Sequence, residues 1–211
     1  MDNKLQAISD FLEKALLFAR SGGDLERLTG KADYSDGVMV AFYLPASAAQ
    51  SLVTLGETAP DDLHLTLAYL GTVTEQTATL KDLVAALAEF ARDAKPVYGT
   101  INGMGRFSNV EDDGTNAVVA LFDSPDLPQW RQRLVETLGW TARDVKVSDQ
   151  HGFIPHITLR YIAADQPTPA LTLPMLRLVF DTVYLVWGEQ RIPFKLQGMT
   201  VETVEAFLNA G

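Results

Sequence analysis

Apolar residues recur along this chain with two different periods. Over residues 3–20, Leu5, Ile8, Phe11, Leu12, Ala15, Leu16 and Ala19 keep a 3.6-residue stripe, which predicts an amphipathic helix stopped by Ser21-Gly22-Gly23. That stripe could dock a partner or a second copy of the chain; the plainer reading packs it on its own domain. Residues 24–36 are polar and turn-like and read as a connector. From Gly37 the pattern changes. Val38 to Leu44 is a continuous apolar run of strand length, ended by Pro45. There follow a short helix over about 46–55, a turn at 60–62, a strand over about 62–70 closed by Gly71, and a helix over about 75–93 with its stripe at Leu80, Leu83, Val84, Leu87 and Phe90.

The second half repeats this alternation. Pro96 opens a strand that reaches roughly Phe107, and Gly99, Gly103 and Gly105 inside it predict bends or bulges. Residues 109–115 form a hairpin loop, and 116–123 the returning strand. Ser124 or Asp126 is the expected cap of a helix over about 126–139 that ends at Gly139. A strand over about 156–162 and a Pro-rich linker over 167–174 come next. Leu176–Trp187 and Arg191–Gln197 read as two strands joined by Gly188-Glu189-Gln190, and residues 200–209 as a terminal helix. Trp130, Trp140 and Trp187 read as packing residues. The order of elements predicts an α+β fold rather than regular βαβ units.

Two of the strands share a pattern. The first is Asp62-Leu-His64-Leu-Thr66-Leu-Ala-Tyr69-Leu-Gly71, and the second is Phe153-Ile-Pro155-His156-Ile-Thr158-Leu-Arg160-Tyr161-Ile162. Side chains alternate across a strand, so His64 and Thr66 share one face, and so do His156 and Thr158. Leu65, Leu67, Ile157 and Leu159 point the other way and can be buried. Arg160, two residues past Thr158, is expected on the polar face as the nearest cation; Arg106 and Lys146 are further candidates.

Imidazoles titrate near neutrality, so one can act as a base while another acts as an acid. That pair fits in-line phosphoryl transfer: one takes a proton from the attacking oxygen and the other gives one to the leaving oxygen. Threonine hydroxyls can hydrogen-bond the non-bridging oxygens. No metal and no cofactor is required by this arrangement. The blander readings are plain. A lone strand histidine is commonly structural, and threonine is common in strands because of its β-branch. Only the repetition gives these four residues weight. A metal reading would use His151, His156 and Asp149, whose spacing matches no common ligand pattern. His151 otherwise reads as an approach-loop residue that could touch substrate. Tyr69, Phe153 and Tyr161 could stack on a base or simply pack. Glu111-Asp112-Asp113 reads as a solvated hairpin tip.

Charge narrows the substrate. Lys plus Arg number 17 against 27 Asp plus Glu, a net charge of −10. Long nucleic acids are held by basic surfaces that displace counterions, so this balance disfavours a long RNA or DNA partner and leaves a small nucleotide open. Cysteine is absent, which removes disulfides, thiol catalysis and cysteine-bound zinc together. No apolar run is long enough to cross a bilayer, and Met1-Asp2-Asn3-Lys4 lacks the order of a secretory signal, so a cytoplasmic protein without a membrane partner is expected.

The two strands resemble the signature of the two-histidine (2H) phosphoesterases, the superfamily of RNA 2′,5′-ligase-like and cyclic phosphodiesterase proteins, in a style similar to its phage members. The likeness includes the aromatic-Leu-Gly tail after the first motif and the Phe and Pro before the second, and it covers about residues 37–197. The resemblance implies a domain over 37–199 between an N-terminal helix and connector (1–36) and a C-terminal helix (200–211). It implies a bilobal fold of two antiparallel sheets facing across a groove, with helices outside. It also implies metal-independent cleavage of phosphodiesters, with His64 and His156 as the acid–base pair and Thr66 and Thr158 as phosphate holders. With the acidic charge, the expected substrates are 2′,5′-linked, 2′,3′-cyclic or cyclic oligonucleotides, including the nucleotide signals of host immunity. RNA ligation, the reverse reaction, ranks lower because an acidic protein would have to bind a second RNA end. The alternative is a nucleotide-binding or structural module that keeps the site without using it.

Overall fold

The computed structural model describes residues 36–108, 115–142, 145, 147 and 152–197. The helices expected over 3–20 and 200–209, the acidic hairpin tip, Lys146, Asp149 and His151 lie outside the described residues.

Eight strands and three helices make up the described fold, which is α+β as the pattern predicts. The strands are β1 (Gly37–Tyr43), β2 (His64–Thr72), β3 (Val97–Phe107), β4 (Thr115–Asp123), β5 (His156–Ala163), β6 (Leu176–Phe180), β7 (Thr182–Trp187) and β8 (Gln190–Lys195). The helices are α1 (Ala46–Val53), α2 (Leu80–Asp93) and α3 (Leu127–Thr141), with a 3-10 turn at Pro60–Asp62.

All the strand pairings are antiparallel, and the order across the sheet is β6-β3-β4-β5-β2-β1-β7-β8. The two sheets implied by the resemblance are therefore two four-stranded halves of one hydrogen-bonded order. Their junction pairs at Leu65↔Ile157. Each half has its His-x-Thr strand innermost, so the halves are related by a pseudo-twofold through that pair.

Away from the pair the junction is filled by other groups. On one side the Arg131 Nε–H of α3 donates to the Leu67 carbonyl of β2 at 2.7 Å. On the other side the loop after α1 supplies Glu57 and Thr58 N–H groups to the Leu159 carbonyl of β5, at 3.0 and 3.1 Å. Backbone groups that the two strands do not give each other are thus satisfied from outside.

The helices cover one face. Phe42, Leu65, Leu83, Leu87, Leu134, Leu138 and Ile157 are fully buried there. Trp130 of α3 packs against Phe42 of β1 and Phe90 of α2, with centroids at 5.1 and 4.7 Å, and its Nε1–H donates to the Lys95 carbonyl at 2.9 Å. A buried indole keeps its donor satisfied in this way.

Several boundaries differ from the sequence expectation, each for a local reason. α2 begins at Leu80 rather than near 75, because Thr79 and Asp82 form a reciprocal capping box at its start. α3 has neither a Ser124 nor an Asp126 side-chain cap; Pro128 in its first turn removes a backbone donor that would need one, and the Ser124 hydroxyl is buried without a hydrogen-bond partner among the described residues. α3 also continues through Gly139 to Thr141, and Trp140 is 83% exposed rather than packed. It falls off the buried stripe of Leu127, Trp130, Leu134 and Leu138.

The run Leu176–Trp187 is two strands, not one. β6 pairs with β3 in one half and β7 with β1 in the other. Asp181 alone separates them, and Phe180 at the end of β6 stacks on Phe42 of β1 at 4.7 Å, which lets the chain change halves there. The β7–β8 hairpin turns through Gly188 at φ 58°, a conformation open to glycine.

Candidate active site

The face opposite the helices is built by register. Tyr43 pairs with His64 and Ala41 with Thr66 on β1–β2, while Leu121 pairs with His156 and Val119 with Thr158 on β4–β5. Cross-strand partners point to the same side. Extending the Leu65↔Ile157 pair by one residue each way sets His64 across from Thr158 and Thr66 across from His156. The two imidazoles and two hydroxyls thus form a diagonal quartet around the pseudo-twofold.

Both histidines are held alike. His64 Nδ1 lies 2.6 Å from the Asp62 carbonyl oxygen, and His156 Nδ1 lies 2.7 Å from the Ile154 carbonyl oxygen. A carbonyl only accepts, so Nδ1 carries the hydrogen and the neutral ring presents a bare Nε2. Each imidazole also meets one aromatic ring, His64 with Tyr43 at 5.5 Å and His156 edge-on with Phe107 at 4.7 Å. Burial pushes both below the ordinary imidazole value of 6.5. For His64 the Arg191 guanidinium and the His156 ring act in the same direction, against the Asp62 carbonyl and carboxylate. For His156 the Ile154 carbonyl opposes burial.

The cation expected at this face is not Arg160. β5 carries a bulge: Val119 pairs with Thr158 but Val118 pairs with Arg160, leaving Leu159 as the extra residue. The bulge turns Arg160 to the opposite side, where Nη2 donates to the Leu55 carbonyl at 3.3 Å and Nη1 lies 3.7 Å from Glu57 Oε1. Arg106, which also pairs with Val118, spends its donors on the Ala164 and Gln166 carbonyls.

A cation that does stand on the polar face, beside His64, is Arg191 of β8, which the sequence pattern does not single out. It pairs with Val186, which pairs with Met39, whose sulfur lies 3.8 Å from the Thr66 hydroxyl. Its guanidinium sits 4.4 Å over the Tyr43 ring, Nη1 donates to the Asp61 carbonyl at 2.8 Å, and Nη2 is paired with the Asp62 carboxylate. It thereby braces the turn whose carbonyl orients His64.

Bulges place the tyrosines as well. On β2, Ala41 pairs with Thr66 but Val40 with Ala68 and Met39 with Tyr69, so Leu67 is extra and Tyr69 returns to the polar face. Tyr161 pairs with Ala117, two residues from Val119, and stands on that face too. Phe153 does not join them. The Arg131 guanidinium lies 4.4 Å over its ring, and with Pro128, Val135 and Pro155 it lines a cleft of about 340 Å³ beside α3. Among the described residues no three His, Cys, Asp or Glu side chains cluster as metal ligands.

The family model described as the 2′-5′ RNA ligase superfamily matches residues 53–191, a span that holds both His-x-Thr strands. The chain belongs to the 2′-5′ RNA ligase superfamily. These are the two-histidine phosphoesterases, and the likeness extends to solved structures. TT0787 of Thermus thermophilus aligns at 20% identity with a TM-score of 0.55, over 78% of this chain and 100% of the other. Kluyveromyces marxianus Usb1, solved with uridine monophosphate, aligns at 12% identity with a TM-score of 0.50, over 77% and 99%. E. coli LigT, solved with 3′-AMP, aligns at 19% identity with a TM-score of 0.48, over 77% and 95%. No curated protein matches the chain at a significant level. No helix among the described residues is long and apolar enough to cross a membrane.

Proposed function

We propose that this 2H phosphoesterase is a metal-independent phosphodiesterase for small nucleotides, with His64 and His156 as its acid–base pair and Thr66 and Thr158 as its phosphate holders. The observation that carries the reading is the matched pair of imidazoles, each fixed through Nδ1 to the carbonyl two residues earlier and each facing the other strand's threonine. A phosphoryl group between them would accept hydrogen bonds from both hydroxyls.

Burial is the first cause lowering both rings; of the two charged side chains that act on His64, the Arg191 guanidinium disfavours its protonation more than the Asp62 carboxylate favours it, and neither acts on His156, which favours His64 as the base and His156 as the acid. His64 Nε2 takes a proton from the attacking water, whose oxygen bonds to phosphorus. The bond from phosphorus to the leaving oxygen breaks, and that oxygen takes a proton from His156 Nε2. Exchange with solvent then restores both rings. The net charge of −10 favours 2′,5′-linked, 2′,3′-cyclic or cyclic oligonucleotides over long RNA, and a phage-type role in removing nucleotide immune signals is the specific form of this reading.

The pH dependence tests it. Activity needs His64 neutral, so kcat/KM rises with pH through the His64 pKa. It needs His156 protonated, so kcat/KM falls as pH rises through the His156 pKa. Both values are lowered, which puts both limbs of the bell on the acid side of 6.5 in the free enzyme. A bound phosphate anion raises both, so the kcat profile is displaced to higher pH. A flat profile up to pH 9 would contradict the assignment.

Arg191→Met removes the cation and the brace on the Asp61–Asp62 turn. The expected result is a rising limb moved to higher pH and kcat/KM lowered about tenfold, the worth of one charge-assisted hydrogen bond. Arg191→Lys returns the limb towards its original position because it restores the charge.

A further inference from the structure

We infer that Arg131 of α3 is a positioning residue for the reaction. It braces the two His-x-Thr motifs against each other, capping the Leu67 carbonyl of the first and clamping the Phe153 ring before the second, so that His156 is held towards Thr66. The inference rests on the phosphodiesterase reading above and deepens it.

The need for a brace lies in the junction between the halves. β1 skips Leu67, and the Leu65↔Ile157 register carried two residues on sets Leu67 level with Pro155. Proline has no N–H to give, and the Pro155 carbonyl is already taken by the Phe122 N–H at 3.0 Å. Leu67 is buried, where a bare carbonyl is costly. The Arg131 Nε–H supplies the donor at 2.7 Å. The other end of the junction is closed differently. There the same register sets Leu63 level with Leu159; the Leu63 carbonyl accepts from the Leu44 N–H at 3.1 Å, and the Leu159 carbonyl from the loop after α1. Backbone groups do most of that work, whereas the Leu67 end depends on a side chain.

The same guanidinium steadies the approach to His156. Residues 152–155 form neither helix nor strand, and Gly152 stands at φ 73°. Within this stretch lies the Ile154 carbonyl that takes the His156 Nδ1–H. It sits between two fastenings, the Pro155–Phe122 bond on one side and the Phe153 ring, 4.4 Å under the guanidinium, on the other. The Ile154 side chain itself is half exposed. A planar guanidinium can give an edge to a carbonyl and a face to a ring at once; a lysine ammonium is a point charge and cannot serve both. α3 gives the brace a firm base, because the adjoining Trp130 is buried against Phe42 and Phe90.

The test uses Arg131→Met, Arg131→Lys, Phe153→Leu and the double variant Arg131→Met/Phe153→Leu. Arg133→Met, which removes the same charge from the same helix, is the control. Turnover of 2′,5′-linked triadenylate and 2′,3′-cyclic AMP is measured with melting temperature, and nitrogen-15 spectra report the tautomer of each histidine without substrate. Arg131→Met is expected to lower kcat about tenfold to a hundredfold, the cost of a roughly 1 Å misplacement, with KM within about twofold of wild type. Phe153→Leu should lose less, and the double variant should be no slower than Arg131→Met, because both changes dismantle one brace. Arg131→Lys should stay below wild type, and Arg133→Met should match it. In Arg131→Met the His156 ring is expected to lose its fixed Nδ1–H form while His64 keeps its own. The Ile154 carbonyl favours the protonated His156 ring, so loosening it moves the falling limb of kcat/KM to lower pH. Loss of a cation acting through space would move that limb to higher pH and overturn the inference. Full rescue by lysine, additive losses in the double variant, or an unchanged His156 tautomer in Arg131→Met would overturn it too, while wild-type turnover leaves the phosphodiesterase reading standing. The tautomer change in Arg131→Met with no wild-type turnover of either substrate would keep the brace and sink that reading.

Discussion

Replacing His64 or His156 by alanine is expected to lower kcat/KM on a small phosphodiester by about 10²–10⁴-fold, the usual worth of a positioned general acid or base. Both rings are half-buried, yet each is held chiefly by one backbone carbonyl and one neighbouring aromatic. Truncation therefore costs little packing, and thermal unfolding should stay near that of wild type. The double variant should be hardly slower than either single one. A proton removed from the nucleophile and a proton given to the leaving group serve one transition state, so loss of either partner removes most of the benefit of the other. Additive losses would mean that the two rings act on separate steps. The readouts are steady-state turnover and the melting temperature of the same samples.

Gly56→Ala should be among the most damaging single methyls on the described chain. A Cβ there would lie 2.2 Å from the Leu159 carbonyl oxygen and 2.9 Å from its carbon, both backbone atoms without freedom to move aside. The loop it belongs to gives that carbonyl three hydrogen bonds, from the Glu57 and Thr58 N–H groups and from the Thr58 hydroxyl at 2.9 Å, and the hydroxyl also reaches the Thr158 carbonyl at 3.2 Å. Lifting the loop breaks this set and frees the bulge that sets Thr158 and Tyr161. The expected loss is about 3 kcal/mol, roughly one per hydrogen bond. That corresponds to a fall in melting temperature of about 6–12 °C for a chain of this size. Turnover should fall as well, through Thr158. Gly139→Ala is the control. It meets nothing within 4 Å inside α3 and should raise stability by about 0.5–1 kcal/mol.

What the sequence made legible was what periodicity carries. The two His-x-Thr strands, the apolar stripe of α2 and the α+β order all follow from spacing, and the structure has them. The bulges are where that reasoning stops. A single extra residue at Leu67 or Leu159 changes no composition and no average period, yet it exchanges Arg160 for Tyr161 on the working face. Arg191 illustrates a different limit. Arg191 lies 127 positions beyond His64 and reaches the site only because β8 joins β7, β7 joins β1 and β1 joins β2. Strand order is a long-range property, and no local pattern around Arg191 records it. The same holds for Asp181, where an unbroken apolar run hides the passage from one half of the sheet to the other. Phe153 shows the converse: its place before Pro155 suits the family signature, but Arg131 holds its ring beside α3.

One measurement bears most directly on the central claim that two histidines, and no metal, carry the chemistry. Wild type, His64→Ala and His156→Ala would be assayed side by side in excess EDTA on 2′,5′-linked triadenylate, cyclic di-AMP and 2′,3′-cyclic AMP. The account predicts wild-type turnover of at least one of them at a rate unchanged by EDTA, and its near-complete loss in both variants with folding intact. Turnover that EDTA abolishes, or that survives the loss of either histidine, would contradict it.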